Sequence, residues 1–328
     1  MDTTETLLRE TATRLFAAEL TLAERRAAAG GVWPARLWAA VDAAGLPAAL
    51  LPEAAGGFGL SIAEGLLPLG IAGNFAVPLP LAETMLAGWI LSKAGLAVPA
   101  GPLTLAPVRA ADTVTLTRAG DGWRLSGRAS RVPWGRDAAA IAVLAAEEGR
   151  EGAFVARVPA GSWSTAPDIN LAGEPRDTVS FASDLPDEAV RPAPHGIGSR
   201  EWRAAGAAMR GIQIAGAMAR IVEMSVQYAG ERIQFGRPIA KFQAVQQNLA
   251  ALAGQAAAGE AASIAAAIAH QVFGAIGFTE EHQLHYWTKR LWSWRDEFGH
   301  EAEWSAFLGR HLAARGADRF WNEITAAA

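Results

Sequence analysis

The period of the apolar residues changes twice along this chain, and that alternation restricts the fold more than any single motif. Up to about Ala97 it is helical: Leu7, Leu8, Thr11 and Leu15 recur at helical spacing, as do Trp38, Val41, Leu46 and Leu50. Pro78 and Pro80 put a loop in Asn74–Leu81, before another helix opens at Glu83. From about Pro102 to Pro192 the period falls to two. Thr113–Thr117 alternates, Asp121-Gly122 is a hairpin turn signal, and Trp123–Ser126 alternates again. Apolar runs at Ala139–Ala145 and Ala153–Val158 suit buried strands, and Thr178–Phe181 and Ala189-Val190 add two short candidates. After Ser199 the helical period returns in an Ala-rich region. One helix is expected over Glu201–Tyr228, with Ile214, Met218, Ile221 and Ser225 on one face. Helix continues over Lys241–Ala269 until Gly274 and Gly277 interrupt it, then over Glu281–Trp294 and Glu301–Glu323. The expected fold class is α+β, in three parts. An N-terminal helical domain (1–101) and a C-terminal helical bundle (196–328) flank a middle β-domain, a barrel or sandwich (102–195).

Composition narrows the function. A net charge of −4 gives no basic footprint for nucleic acid or an anionic membrane. With no cysteine there is no disulfide, thiolate metal site or cysteine nucleophile. Met1–Glu10 is polar, without the apolar core of a signal peptide, and the longest apolar stretches are broken by Gly or charge, so a soluble, cytoplasmic protein is expected. His270, His282, His285 and His300 lack a carboxylate–histidine ligand pattern and read as ordinary surface histidines, so no metal is expected.

Two segments after Tyr228 carry candidate chemistry. In Tyr228-Ala-Gly-Glu-Arg-Ile-Gln-Phe-Gly-Arg-Pro-Ile239 a helix ends near Gly230 and a turn reverses the chain, exposing Arg232 and Arg237 beside backbone NH groups. Such guanidiniums can bind a diphosphate by charge-assisted contacts, and the same residues also suit a plain αα-hairpin turn with solvated arginines. Gln243 follows in the next helix. The second segment is Gln271-Val-Phe-Gly-Ala-Ile-Gly-Phe-Thr279. Its two glycines permit close approach to a ligand or simply cap a helix.

Taken together, Arg-x-Gln-Phe-Gly-Arg-Pro-Ile, Phe-Gln-x-Val-Gln and Gln-x-x-Gly-x-x-Gly-Phe-Thr resemble the acyl-CoA dehydrogenase C-terminal domain in order and spacing. Pro52-Glu-Ala-Ala-Gly-Gly-Phe-Gly-Leu-Ser61, Asp121-Gly-Trp-Arg-Leu-Ser-Gly127 and Leu185-Pro-Asp-Glu-Ala-Val190 extend the resemblance over nearly the whole chain. It implies FAD as cofactor and α,β-dehydrogenation of an acyl-CoA thioester, with an electron-transfer flavoprotein as acceptor. Carried over by position, Arg232 and Gln234 hold the FAD pyrophosphate and Gln243 adds a polar contact. Gln271, Gly274 and Ala275 line the adenosine end, and all of them serve an FAD lodged mainly in a neighbouring subunit. Phe273 and Ala275 depart from the His or Leu and the second Gly often found there.

The catalytic part of the pattern is missing. The family's base, a glutamate in Glu-Gly-Thr, falls at Phe298, followed by Gly299 and His300; the alternative position on the long helix is Gly206. Glu297, one residue early, either supplies the base after a local shift or is a solvated carboxylate in the charged run Trp294-Arg-Asp-Glu297. In the β-domain, Leu105–Asp112 is too short for the family's flavin-ring segment. After Gly127, Pro133 points to a displaced strand, with Trp134 as a stand-in ring contact. The resemblance therefore implies a short subunit that completes the FAD site of a longer homologue in a hetero-oligomer. The alternatives are a self-sufficient homo-oligomer using Glu297, or a flavin-free scaffold.

Overall fold

The computed structural model describes residues 3–149, 152–258 and 262–315. Five helices come first: α1 (Thr3–Glu19), α2 (Leu22–Ala29), α3 (Ala35–Ala43), α4 (Ile62–Asn74) and α5 (Leu81–Lys93). The sequence fixes where α4 begins. Ser61 Oγ accepts from Glu64 N at 3.3 Å and Ser61 N donates to the Glu64 carboxylate at 2.9 Å, which satisfies two otherwise orphaned helix-end donors. The buried face of α1 is turned from the expected one. Ala12 and Phe16 are fully buried while Leu7 is 62% exposed, because Phe16 docks on Phe75, with ring centroids 5.9 Å apart.

The middle part is one eight-stranded sheet made of β1 (Leu103–Ala106), β2 (Thr113–Ala119), β3 (Gly122–Pro133), β4 (Ala140–Glu147), β5 (Ala153–Pro159), β6 (Trp163–Ala166), β7 (Arg176–Pro186) and β8 (Val190–Pro192). The order is β6-β7-β3-β2-β4-β5-β8, and β1 also pairs with β4 in parallel. Two local expectations are corrected. The hairpin turn is Gly120-Asp121, one residue early, since Ala119 pairs with Gly122 and the positive φ of +57° falls on Gly120. Pro133 does not displace a strand either: β3 runs unbroken to it, through a bulge between Ala129 and Val132.

The third part contains α6 (Ser199–Glu231), a small hairpin of β9 (Ile233–Gln234) and β10 (Arg237–Pro238), α7 (Gln243–Ala258), α8 (Ala262–Phe273), α9 (Leu284–Trp294) and α10 (Glu301–Arg315). The expected helical stretches over 259–261 and beyond 315 lie outside the described residues. Close contact of α6 with α4 depends on two glycines. A methyl at Gly216 would meet the Gly70 carbonyl at 1.8 Å, and one at Gly73 would meet the Gln213 carbonyl at 2.0 Å. That approach carries the first half of α6 past α5 and against the sheet. Among the described residues no helix is long and apolar enough to cross a membrane.

Candidate functional site

The Arg232 turn projects from the bundle. Arg232 to Arg237 are all exposed, Phe235 by 92% and Ile233 by 62%. The β9–β10 hairpin is nevertheless ordered, because Ile239 N donates to Arg232 O at 2.8 Å and the Arg237 guanidinium lies 4.2 Å from the Phe242 ring centroid. Gln243, also exposed, follows Phe242 at the start of α7. Among the described residues no carboxylate pairs with the Arg232 side chain. Gln271, Gly274 and Ala275 are exposed at the end of α8, where Gly274 takes a φ of +64° and starts a 3-10 turn. The two groups are joined through the core: Tyr228, four residues before Arg232, stacks on Phe273 with centroids 4.3 Å apart. A solvent-facing arginine next to polar amides fits the diphosphate of a dinucleotide. Of the four histidines expected at the surface, His270 is instead buried and stacks on Phe278 at 4.0 Å, while His285 Nδ1 pairs with the His282 carbonyl at 2.9 Å.

Glu297 belongs elsewhere, and neither sequence reading of it describes what is found. It sits in a buried cluster of three carboxylates and three guanidiniums drawn from every part of the chain. Arg210 of α6 binds Glu83 of α5 and, through Nε, Glu297 at 2.7 Å. Arg176 of β7 binds Glu297 through Nε at 2.7 Å and Glu174 through Nη2 at 2.9 Å. Arg290 of α9 closes the chain on Glu174, at 2.9 Å. Trp294 Nε1 and Asn170 Nδ2 also donate to Glu174, at 3.1 and 3.0 Å. Burial works against the charge on Glu174 and on Glu297, but their partners win. Arg290, Arg176 and Arg210 hold the Glu174 pKa down at about 2, and Arg176 and Arg210 hold Glu297 below the usual carboxylate range. A base so stabilised as the carboxylate is a weak one. One signal for this cluster was legible: Arg210 lies four residues before Ile214, on the face of α6 expected to be buried. Glu174, Arg176 and Arg290 gave none.

Acid stability should report the cluster. Glu174 is depressed from 4.5 to about 2, so its contribution is present above pH 4.5 and is lost as the pH falls toward 2. At 1.36 kcal/mol per unit this is about 3 kcal/mol. Urea unfolding at pH 7 and pH 3 should show about 2 kcal/mol of that loss in the wild type and much less of it in Glu174→Gln.

The two family positions for a base converge on one spot, and it is filled. The Phe298 ring, 5% exposed, lies directly on Gly206: a methyl at Gly206 would be 2.3 Å from Phe298 Cδ1. Beneath the ring, the crevice bounded by Glu83, Leu105, Met209 and Arg210 is too narrow for a water molecule. Trp134 is no ring contact either, being buried with the Arg176 guanidinium 4.7 Å from its ring centroid. Outside Phe298, a cavity of about 570 Å³ opens between the sheet and the bundle, with Arg109, Arg131, Pro133, Arg203 and His300 around it.

Comparison with known proteins accounts for this geometry. Residues 2–96 match the acyl-CoA dehydrogenase N-terminal domain and residues 204–267 the acyl-CoA dehydrogenase C-terminal domain. Helix, sheet and helix around an exposed arginine hairpin define a flavoprotein oxidoreductase fold. The chain belongs to the acyl-CoA dehydrogenase family. One relative, acyl-CoA dehydrogenase IpdE2 of Mycobacterium tuberculosis (strain ATCC 25618 / H37Rv), is 35% identical over 99 residues, and the match spans 23% of this chain and 31% of that protein. Among solved structures, the ChsE4-ChsE5 complex from Mycobacterium tuberculosis superposes with a TM-score of 0.86 at 22% identity, covering 97% of this chain and 99% of the other. A Tcur3481-Tcur3483 steroid ACAD variant gives 0.78 at 23% identity, over 94% and 98% of the two chains. At those identities the likeness speaks for the fold.

Proposed function

We propose that this chain is a subunit of an FAD-dependent acyl-CoA dehydrogenase whose chemistry takes place in a longer homologous partner. It completes the partner's FAD site through Arg232, Gln234 and Gln243, with Gln271, Gly274 and Ala275 at the adenosine end. The observation that carries this reading is Phe298 on Gly206. Both positions from which the family draws a base are apolar, and the crevice beneath the Phe298 ring admits no water, so no base stands where the family takes the proton. FAD, when bound, takes the hydride from the thioester's β-carbon. The α-proton must leave to a base in the same site, and among the described residues the carboxylates lining the cavity, Asp296, Glu297 and Glu303, are each paired with an arginine. The exposed hairpin is the complementary observation, since Arg232 faces solvent there and no carboxylate pairs with it among the described residues. The resemblance to two-component steroid enzymes supports a bulky, steroid-derived acyl-CoA as substrate class, and the family's usual acceptor is an electron-transfer flavoprotein.

Co-expression tests the reading. The chain alone should purify colourless and turn yellow only with a longer homologue. In that complex Arg232→Ala should weaken flavin retention on dilution by roughly tenfold or more, the loss of one charge-assisted contact. A yellow homo-oligomer would support the self-sufficient enzyme instead. Colourless protein in every pairing would leave only a scaffold.

A further inference from the structure

We infer that His270 is a proton-operated latch on the turn that carries Gly274 and Ala275: a neutral imidazole keeps the turn shut against α9, and uptake of a proton releases it. The 3-10 turn Gly274–Phe278 follows α8 directly, and its last hydrogen bonds are local, with Thr279 N and Oγ1 both donating to Ile276 O at 3.2 and 3.0 Å. A stack of rings ties its far end to the bundle. Phe278, 68% exposed, lies on the His270 imidazole with centroids 4.0 Å and planes 16° apart, and the imidazole also stacks on Trp292 of α9, at 5.6 Å and 9°. His270 Nε2 pairs with Thr288 Oγ1 of α9 at 3.0 Å, and both residues are buried. The other nitrogen, Nδ1, is closed to solvent and has no hydrogen-bond partner among the described residues. The turn covers it: a methyl at Gly277 would come within 3.1 Å of Nδ1. Protonation puts an N–H on both ring nitrogens, so the Nδ1 proton would be a buried donor without an acceptor, on a buried charge. Attraction of the cation to two ring faces offsets only part of that cost.

Among the described residues no carboxylate pairs with His270 to hold the proton. The turn, α7 and the rest of α8 carry no charged side chain, and Arg295, just past α9, reaches α8 only at Ser263, two turns from His270. From α6 comes Tyr228, whose hydroxyl donates to Phe273 O at 3.5 Å. From α9, His285 faces His270 and repels its cation, while Lys289, Glu280 and the His282 carbonyl act on His285. Burial, and after it that repulsion, lower the His270 pKa from its ordinary 6.5, so the shut turn binds a proton less readily than the open one. The latch therefore holds fully above pH 6.5 and weakens as the pH falls below it. Its use rests on the subunit role proposed above: flavin held by Gln271, Gly274 and Ala275 is released as the latch opens.

Hydrogen exchange of the full chain between pH 7.5 and 5, read as protection factors for residues 271–279, tests the latch. Protection should fall by about fivefold or more in the wild type. It should hardly change with pH in His270→Phe, which keeps an aromatic ring in the stack but takes up no proton. His285→Gln should keep the response and move its midpoint to higher pH, because one repelling charge is gone. Titration of the His270 imidazole by NMR in the wild type decides the matter even where a variant fails to fold. The latch is overturned by unchanged protection in the wild type, by an equal acid loss in His270→Phe, or by a His270 pKa at or above 6.5. In the yellow complex, flavin should be lost on dilution faster at pH 5.5 than at pH 7.5, and equal retention would overturn the regulatory use. An acid-sensitive turn in a chain that never turns yellow supports the latch and removes the subunit role.

Discussion

In the proposed flavin-loaded complex, replacing Glu297 by glutamine will leave acyl-CoA turnover within a few-fold of wild type, while lowering the melting temperature of this chain. Glutamine keeps the shape of the side chain but removes the negative charge that faces Arg176 and Arg210 at 2.7 Å each. The cluster then holds three guanidiniums against two carboxylates in a buried site, and an uncompensated buried charge is costly. Catalysis is a separate matter. If Glu297 abstracted the α-proton, its loss should lower turnover by at least about a hundredfold, the usual scale for general base catalysis. Steady-state turnover measured per bound flavin separates the two effects. A hundredfold collapse with flavin still bound would mean that this chain runs the reaction itself.

The largest effect on folding is expected from Arg210→Ala. The Arg210 side chain is almost fully buried, and it joins α5 to the turn between α9 and α10 by pairing with Glu83 and Glu297. Removing one partner of a buried ion pair costs about 3–5 kcal/mol, which for a chain of this size lowers the melting temperature by roughly 4–7 °C. The exposed pair Arg220–Glu223, on the same helix, is the control: Arg220→Ala should cost at most about 1 kcal/mol. Pairing Arg210→Met with Glu83→Leu should recover part of the loss, because an apolar pair leaves Glu83 no charge to strand. Calorimetric melting of the three variants and the wild type measures the series. An Arg210→Ala protein that melts like Arg220→Ala would show that the cluster does not hold the three parts together.

The amino-acid sequence by itself determined the order helix, sheet, helix. A period of 3.6 or 2 is set by the backbone and survives in any tertiary setting, which is why Met218, Ile221 and Ser225 are buried together as expected. It also determined the exposed arginine hairpin, whose Gly236 and Pro238 encode the reversal locally. Where a boundary depended on pairing, the sequence was less informative. The Gly120-Asp121 turn and the bulge that lets β3 reach Pro133 follow from register with neighbouring strands, and β6 is too short to announce itself. The vacant base positions were legible one at a time, as Phe298 and Gly206. Only the tertiary structure brought them into contact 92 residues apart in the chain, and only it paired Glu297 with arginines from β7 and α6. The reason is physical. A charge written in a run of charges looks solvated, and its burial depends on partners whose positions come from long-range packing. The Gly216 and Gly73 contacts that draw α6 against α4 leave no local trace in composition or period.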